Sequence, residues 1–268
     1  KRSIVLNLKT EKGRNALYCL VEKADVLLHN NRPGKMGELG CDYETLSKIN
    51  PALVFCSITG YGEEGQYSGR PGFDPLAQAM SGLMWLTGEP DRKPSRVGAS
   101  TIDICTGVLA AYAIWPAVER AERTGEGEKV ETSLFDTAAA FMGQWYTYCD
   151  ETGADPKRQG HTWNAYAPAG IIETADGGVY LAAPTDRHWR SLCEAIGRED
   201  LVDDPRFTSG EDRVDNRDEL FAELDETCAS MDRSTVIERL SDAGVPAGEL
   251  FSVAEAADDE HLRERGTI

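Results

Sequence analysis

Asp103 stands at the mouth of an apolar run, ICTGVLAAYAIWPAVERA, in which Ile104, Val108, Ala111, Tyr112 and Trp115 recur at helical spacing. The free N–H groups and positive dipole end of a starting helix favour an ionised carboxylate at that place. An aspartate before a helix commonly does no more than cap it. An ionised carboxylate that a substrate can reach has a second use, as a nucleophile or a proton carrier. The approach to Asp103 suits that second use. GFDPLAQAMSGLMWLTGEPD sets Ala77, Ala79, Ser81 and Gly82 on a helix before a Gly/Pro-punctuated loop, so a bulky substrate has room. Cys105, two residues after Asp103, has no evident base nearby and reads as a packing residue.

The elements that must position Asp103 follow from the hydrophobic pattern. RSIVLNLK alternates weakly and predicts a strand, and Thr10 caps a helix running to about Lys23. ADVLLHN reads as a strand stopped by Pro33-Gly34, YETLSKI as a short helix, and LVFCSIT as a second apolar strand. Strand, helix, strand at this spacing makes a βαβ unit and a parallel sheet buried on both faces. Ligands of such sheets gather beyond the carboxyl ends of the strands, here Asn30–Arg32 and Thr59–Tyr61. GYGEEG is no dinucleotide fingerprint, because no helix follows it directly. KVETSLF predicts a further strand, Asp136 a helix cap, and Pro116 a kink or break in the helix that Asp103 opens. From about Asp150 the chain turns polar and Gly/Pro-bearing, which divides it into domains 1–150 and 151–268. AGIIETADG and GVYLAAP then predict a hairpin, followed by the amphipathic helices HWRSLCEAIG, RDELFAELDETCAS and STVIERLSDAG.

Composition narrows the class. A net charge of −18 excludes a nucleic-acid partner. The acid is dispersed over the chain and lysine is scarce, nine against nineteen arginines, which predicts a surface adapted to molar salt. Seven scattered cysteines, none in a CxxC pair, predict reduced thiols in a cytoplasm and neither a disulfide framework nor a metal site. No apolar run reads as long enough to span a bilayer, so no membrane partner is expected.

Three segments together, GFDPLAQAMSGLMWLTGEPD, TIDICTGVLAA and RTGEGEKVETSLFDTAAA, resemble the family III CoA-transferases, which include formyl-CoA and carnitine CoA-transferases and α-methylacyl-CoA racemases. The resemblance runs through nearly the whole chain. It implies an α/β fold: a Rossmann-like large domain with a parallel sheet, a smaller α+β domain, and an interlocked homodimer. Family chains are longer, so the chain is expected to correspond to the family from about its third element.

The resemblance implies acyl-CoA and free carboxylic acids as substrates, coenzyme A arriving as substrate with no resident cofactor, and Asp103 as the nucleophile. It implies CoA contacts at Asn30, Asn31, Arg32, Thr59 and Tyr61, with Asn31 in place of the usual aromatic. A loop carrying Gly160, His161 and Asn164 is expected to cover the site. A racemase needs a histidine just before Asp74, where this chain has Phe73, so transfer is the expected reaction and epimerisation the alternative. Asp74 is then expected to be a buried structural carboxylate. A non-catalytic CoA-binding or oligomerisation subunit is the alternative of another class. Arg92, Lys93 and Arg96 are candidates for holding a dicarboxylate such as succinyl-CoA and its exchange partner.

Overall fold

The apolar runs VLLH and VFCSIT form neighbouring parallel strands, β1 (Val26–His29) and β2 (Val54–Thr59), with Val26 opposite Val54 and His29 opposite Ser57. A third parallel strand, β3 (Lys129–Ser133), pairs on the other side of β2, setting Phe55 against Lys129 and Thr59 against Ser133. β2 is therefore the middle strand, and Val54, Phe55, Cys56 and Ser57 are all buried, as expected of a run with no polar face. The computed structural model describes residues Lys1–Ile268, which divide into two units, Lys1–Arg158 and Gln159–Ile268.

In the first unit the long helix Thr101–Thr124 lies against β2 and β3, and small residues on its inner face, Ala110, Ala117 and Ala121, let it approach the sheet closely. Helices Asp74–Ser81 and Leu134–Phe141 pack beside its first turns through Ala77, Ile102, Leu134 and Ala138. Helix Glu11–Val21 is capped by the Thr10 hydroxyl, which accepts the Gly13 N–H at 3.2 Å. The second unit has an antiparallel sheet in the order β4 (Ala169–Thr174), β5 (Gly177–Ala182), β6 (Ala247–Glu249). Thr174 pairs with Gly177, so Ala175-Asp176 is the hairpin loop. Helices Asp186–Ile196, Arg217–Cys228 and Arg233–Asp242 bury Trp189, Leu192, Leu220, Leu224, Val236 and Leu240 with the sheet in one core.

Four sequence readings are corrected. RSIVLNLK forms no strand, since no other strand of the chain pairs with it, and Val5 is 95% exposed. Pro116 does not break its helix, which runs on to Thr124; the proline lies on the exposed face, where a displaced carbonyl can turn to solvent. Asp136 is not the cap of helix Leu134–Phe141. Ser133 is, its Oγ accepting the Asp136 N–H at 3.0 Å and donating to Asp136 Oδ2 at 2.6 Å. Lastly, helix Thr101–Thr124 is long and apolar enough by composition to cross a membrane, with a mean hydropathy of 1.5, and 22% of that stretch is buried. One face of the helix packs on β2 and β3, while Ile104, Val108, Tyr112 and Trp115 on the other stay exposed.

Candidate active site

The carboxyl ends of β1 and β2 open into a cleft of about 710 Å³ whose lining includes Asn30, Asn31, Arg32, Thr59, Gly60, Arg70, Phe73 and Asp103. Two backbones must nearly touch to form it. A Cβ on Gly60 would sit 2.6 Å from the Gly72 Cα, so glycine at both places lets the strand end meet the GFD segment. Phe73 then projects into solvent at the cleft, 64% exposed, while Asp74 beside it is buried as expected.

Asp103 enters from the first turn of the long helix and is the single carboxylate of the lining. It is not the helix cap. Asp74 Oδ2 takes that role from the neighbouring helix, accepting the N–H groups of Ile102 at 2.8 Å and Asp103 at 3.2 Å. Partial burial of the Asp103 carboxyl, and then the Asp74 charge, push it above the usual aspartate range. A carboxylate made more basic in this way is a better nucleophile for it.

Of the residues expected to meet CoA, Asn30, Asn31, Arg32 and Thr59 line this cleft. Asn31 Nδ2 points at the Met36 sulfur, 3.4 Å away, and Thr59 Oγ1 accepts the Gly62 N–H at 2.8 Å. Tyr61 is not in the lining; its ring packs edge-on against Tyr67 and Phe135 at 5.9 Å and braces the wall. Gly160, His161 and Asn164 belong to the second unit. There the Ile171 N–H donates to His161 Nδ1 at 3.0 Å and Arg217 holds Asn164 Oδ1 at 2.8 Å. Arg92, Lys93 and Arg96 are absent from the cleft, and the Arg96 guanidinium turns to the carbonyls of Val97 and Gly98.

Sequence reasoning missed three side chains. Arg70 lines the cleft and stacks over Tyr67 at 4.3 Å, with no carboxylate paired to it; lying in an irregular segment, it carries no periodic signal. His29 ends β1 in the lining, where burial lowers its pKa and the Asn31 N–H donates to its Nδ1 at 3.2 Å, so the ring is neutral at pH 7. Arg158 donates to four backbone carbonyls, of Trp85, Glu89, Pro90 and Arg92, at 3.0–3.2 Å. It thereby shapes the Gly/Pro loop that leads to Asp103, a role visible only once the chain has folded.

Known proteins resemble this chain over nearly its whole length. The family model for CoA-transferase family III matches residues 1–268. The succinyl-CoA:mesaconate CoA-transferase of Haloarcula marismortui is 40% identical over 99% of this chain and 67% of its own length. The acetyl-CoA:oxalate CoA-transferase of Acetobacter aceti is 40% identical over 96% of this chain and 67% of its own. The solved structure of a CAIB/BAIF family protein from Brucella suis superposes with a TM-score of 0.92 at 37% identity, over 99% of this chain and 70% of that one. The chain thus spans about two thirds of the length of these relatives. With the family model covering every residue and relatives at this identity, the chain belongs to CoA-transferase family III.

Proposed function

We propose that the chain carries CoA from an acyl-CoA donor to a free carboxylic acid through covalent intermediates on Asp103, with succinyl-CoA as donor and a short dicarboxylic acid as acceptor. The observation that carries this reading is the cleft itself: one carboxylate, Asp103, faces strand ends furnished with Arg32 and Arg70. Two guanidiniums without ion-pair partners suit the phosphates of CoA or a second carboxylate of the acid. Relatives named for succinyl-CoA with mesaconate, with D-citramalate and with L-malate support the dicarboxylate class.

In this mechanism an Asp103 oxygen attacks the thioester carbonyl, the C–S bond breaks, and CoA leaves as its thiolate. The thiolate attacks the aspartyl carbonyl of the resulting anhydride, releasing the donor's carboxylate and leaving an enzyme–CoA thioester. The acceptor carboxylate attacks that thioester, and the thiolate then attacks the acceptor's acyl carbon, restoring Asp103. No proton is consumed, and the thioester energy passes from one acid to the other without hydrolysis. Water must therefore be excluded, the part we assign to the loop of Gly160, His161 and Asn164. Gly60 lies at the strand end in the same lining, where its backbone suits an oxyanion donor. Phe73, in the same lining as Asp103, carries no proton, which favours transfer over racemisation.

Val108, Tyr112 and Trp115 share an exposed face of the long helix, and we assign that face to a second copy of the chain in a homodimer. A cytoplasmic setting accompanies the reading, as the seven scattered cysteines with no CxxC pair suggest.

The test is exchange followed by mass spectrometry. The full-length protein is given a panel of acyl-CoA donors and free acids, with Asp103→Ala in parallel and sedimentation to report the dimer. New acyl-CoA species that vanish in the variant are the expected result, and the productive pair names the substrates. Exchange that survives Asp103→Ala refutes the nucleophile. Solvent deuterium entering a branched acyl-CoA without CoA transfer would favour epimerisation, and silence in both a non-catalytic subunit.

A further inference from the structure

The first turn of the long helix has an unusual cap. Ser100, at the N-cap position, makes no side-chain capping bond. The N–H groups of Ile102 and Asp103 go instead to Asp74 Oδ2, on a different helix. Asp74 is held in turn: Gln78 Nε2 donates to its Oδ1 at 2.5 Å, and Gln78 Oε1 accepts the Val97 N–H at 2.9 Å. Asp74 and Gln78 are both buried, so the middle of the network Val97–Gln78–Asp74–Asp103 is sheltered from water.

An acid in the first turn of a helix ordinarily bonds back to the free N–H groups there. Asp103 is that acid here, but the N–H groups of Ile102 and Asp103 go to Asp74, and the Asp103 carboxylate itself accepts no hydrogen bond within the chain. Asp74 uses both carboxylate oxygens as acceptors, Oδ1 for Gln78 and Oδ2 for the helix start, which the single acceptor oxygen of an asparagine could not do. A buried anion next to a second carboxylate adds repulsion, which makes sense where the second carboxylate must stay basic and unbonded.

We propose that Asp74, fixed by Gln78, is a positioning residue for the nucleophile: it caps the long helix from outside and so keeps the Asp103 carboxylate free and aimed into the cleft. The inference rests on Asp103 being the nucleophile. The other charged or titratable groups of the same lining are Arg32, Arg70 and His29.

The experiment compares full-length wild type, Asp74→Asn, Gln78→Leu, His29→Asn and Asp103→Ala for kcat, for KM of the acyl-CoA and for the pH profile of kcat. Asp74→Asn is expected to lower kcat about tenfold or more at unchanged KM, and to move the acid limb to lower pH as the neighbouring charge is lost. Wild-type kcat and an unmoved limb in Asp74→Asn, with Asp103→Ala inactive, would overturn the positioning role and leave the nucleophile standing. An acid limb that moves only in His29→Asn would overturn it too. Turnover in Asp103→Ala would instead remove the nucleophile on which both readings depend. If Asp74→Asn does not fold, Gln78→Leu decides: the same kcat loss at constant KM is expected, and wild-type kcat refutes the proposal.

Discussion

The backbone N–H of Asp103 donates to the Asp74 carboxylate at 3.2 Å, so two acids from adjacent helices meet at one helix start. Partial burial first, and the Asp74 charge second, hold the Asp103 carboxyl above its ordinary range. A carboxyl whose folded pKa is raised contributes stability below its unfolded pKa and loses it as pH rises through the folded value. At neutral pH the free enzyme therefore carries Asp103 at a cost. Asp103→Asn is expected to raise the melting temperature at pH 7, with the gain vanishing under acid conditions where both forms are uncharged. Melting curves from pH 3 to 8 would check this. A lower melting temperature for Asp103→Asn at pH 7 would count against it.

The Gly60–Gly72 contact allows a second prediction. A Cβ on Gly72 would lie 2.5 Å from the Gly60 Cα, a backbone neighbour that cannot swing away as a side chain could. Gly72→Ala must push the GFD segment off the end of β2, at a cost of about 1–3 kcal/mol. Because Phe73 and Asp74 follow directly, CoA-exchange activity is expected to fall more steeply than stability. Chemical denaturation beside the exchange assay separates the two, and a variant with wild-type exchange would refute the contact's importance.

Much of this arrangement was legible in the chain. β1 and β2 are apolar runs bounded by turn residues, and a run with no polar face has few places other than the middle of a parallel sheet. Asp103 at a helix start followed from the spacing of Ile104, Val108 and Tyr112. What spacing could not reveal was who caps that helix, because Asp74 lies far away in sequence and reaches it only through the packing of two helices. Arg70 and Arg158 escaped for a similar reason: their partners are an aromatic face and carbonyls of irregular segments, which leave no period to read. The N-terminal RSIVLNLK misled in the opposite direction, since alternation makes a strand only where another strand is present to pair with it.

In the second unit Arg213 is 2% exposed and its guanidinium is spent on the carbonyls of Ala167 and Phe207 and on Asp186 at 2.7 Å. Trp189 lies under it, 5.5 Å from ring centre to guanidinium carbon. Arg213→Leu keeps the apolar stem but strands two carbonyls without a donor, each costing about 1–3 kcal/mol. A loss of about 3 kcal/mol is expected from denaturant unfolding. Asp186→Asn should cost less, because Asp186 is mostly exposed and both carbonyl bonds survive. Equal losses from the two variants would show the ion pair, and not the carbonyl bonds, to be what matters.

The charge balance carries the last prediction, on which two effects of salt oppose each other. The net charge of −18 opposes the folded state by self-repulsion, which salt screens. Arg198 and Arg206 pair with Asp200, Asp204, Glu219 and Glu223 at 2.8–3.0 Å, and salt weakens those attractions. Exposed pairs contribute only about 0–1 kcal/mol each, so losing part of that is a small effect. Repulsion among the uncompensated acids outweighs it because they are spread over the whole chain, and the screening length falls from about 8 Å at physiological salt to about 3 Å at 1 M. We therefore expect the melting temperature to climb from dilute buffer into molar KCl, and the protein to unfold below roughly 0.5 M. Scanning calorimetry across KCl concentrations measures this directly. A protein that is fully stable in dilute buffer, or that loses stability as KCl is added, would show the ion pairs to dominate and the salt-adapted surface to be a misreading of the acid.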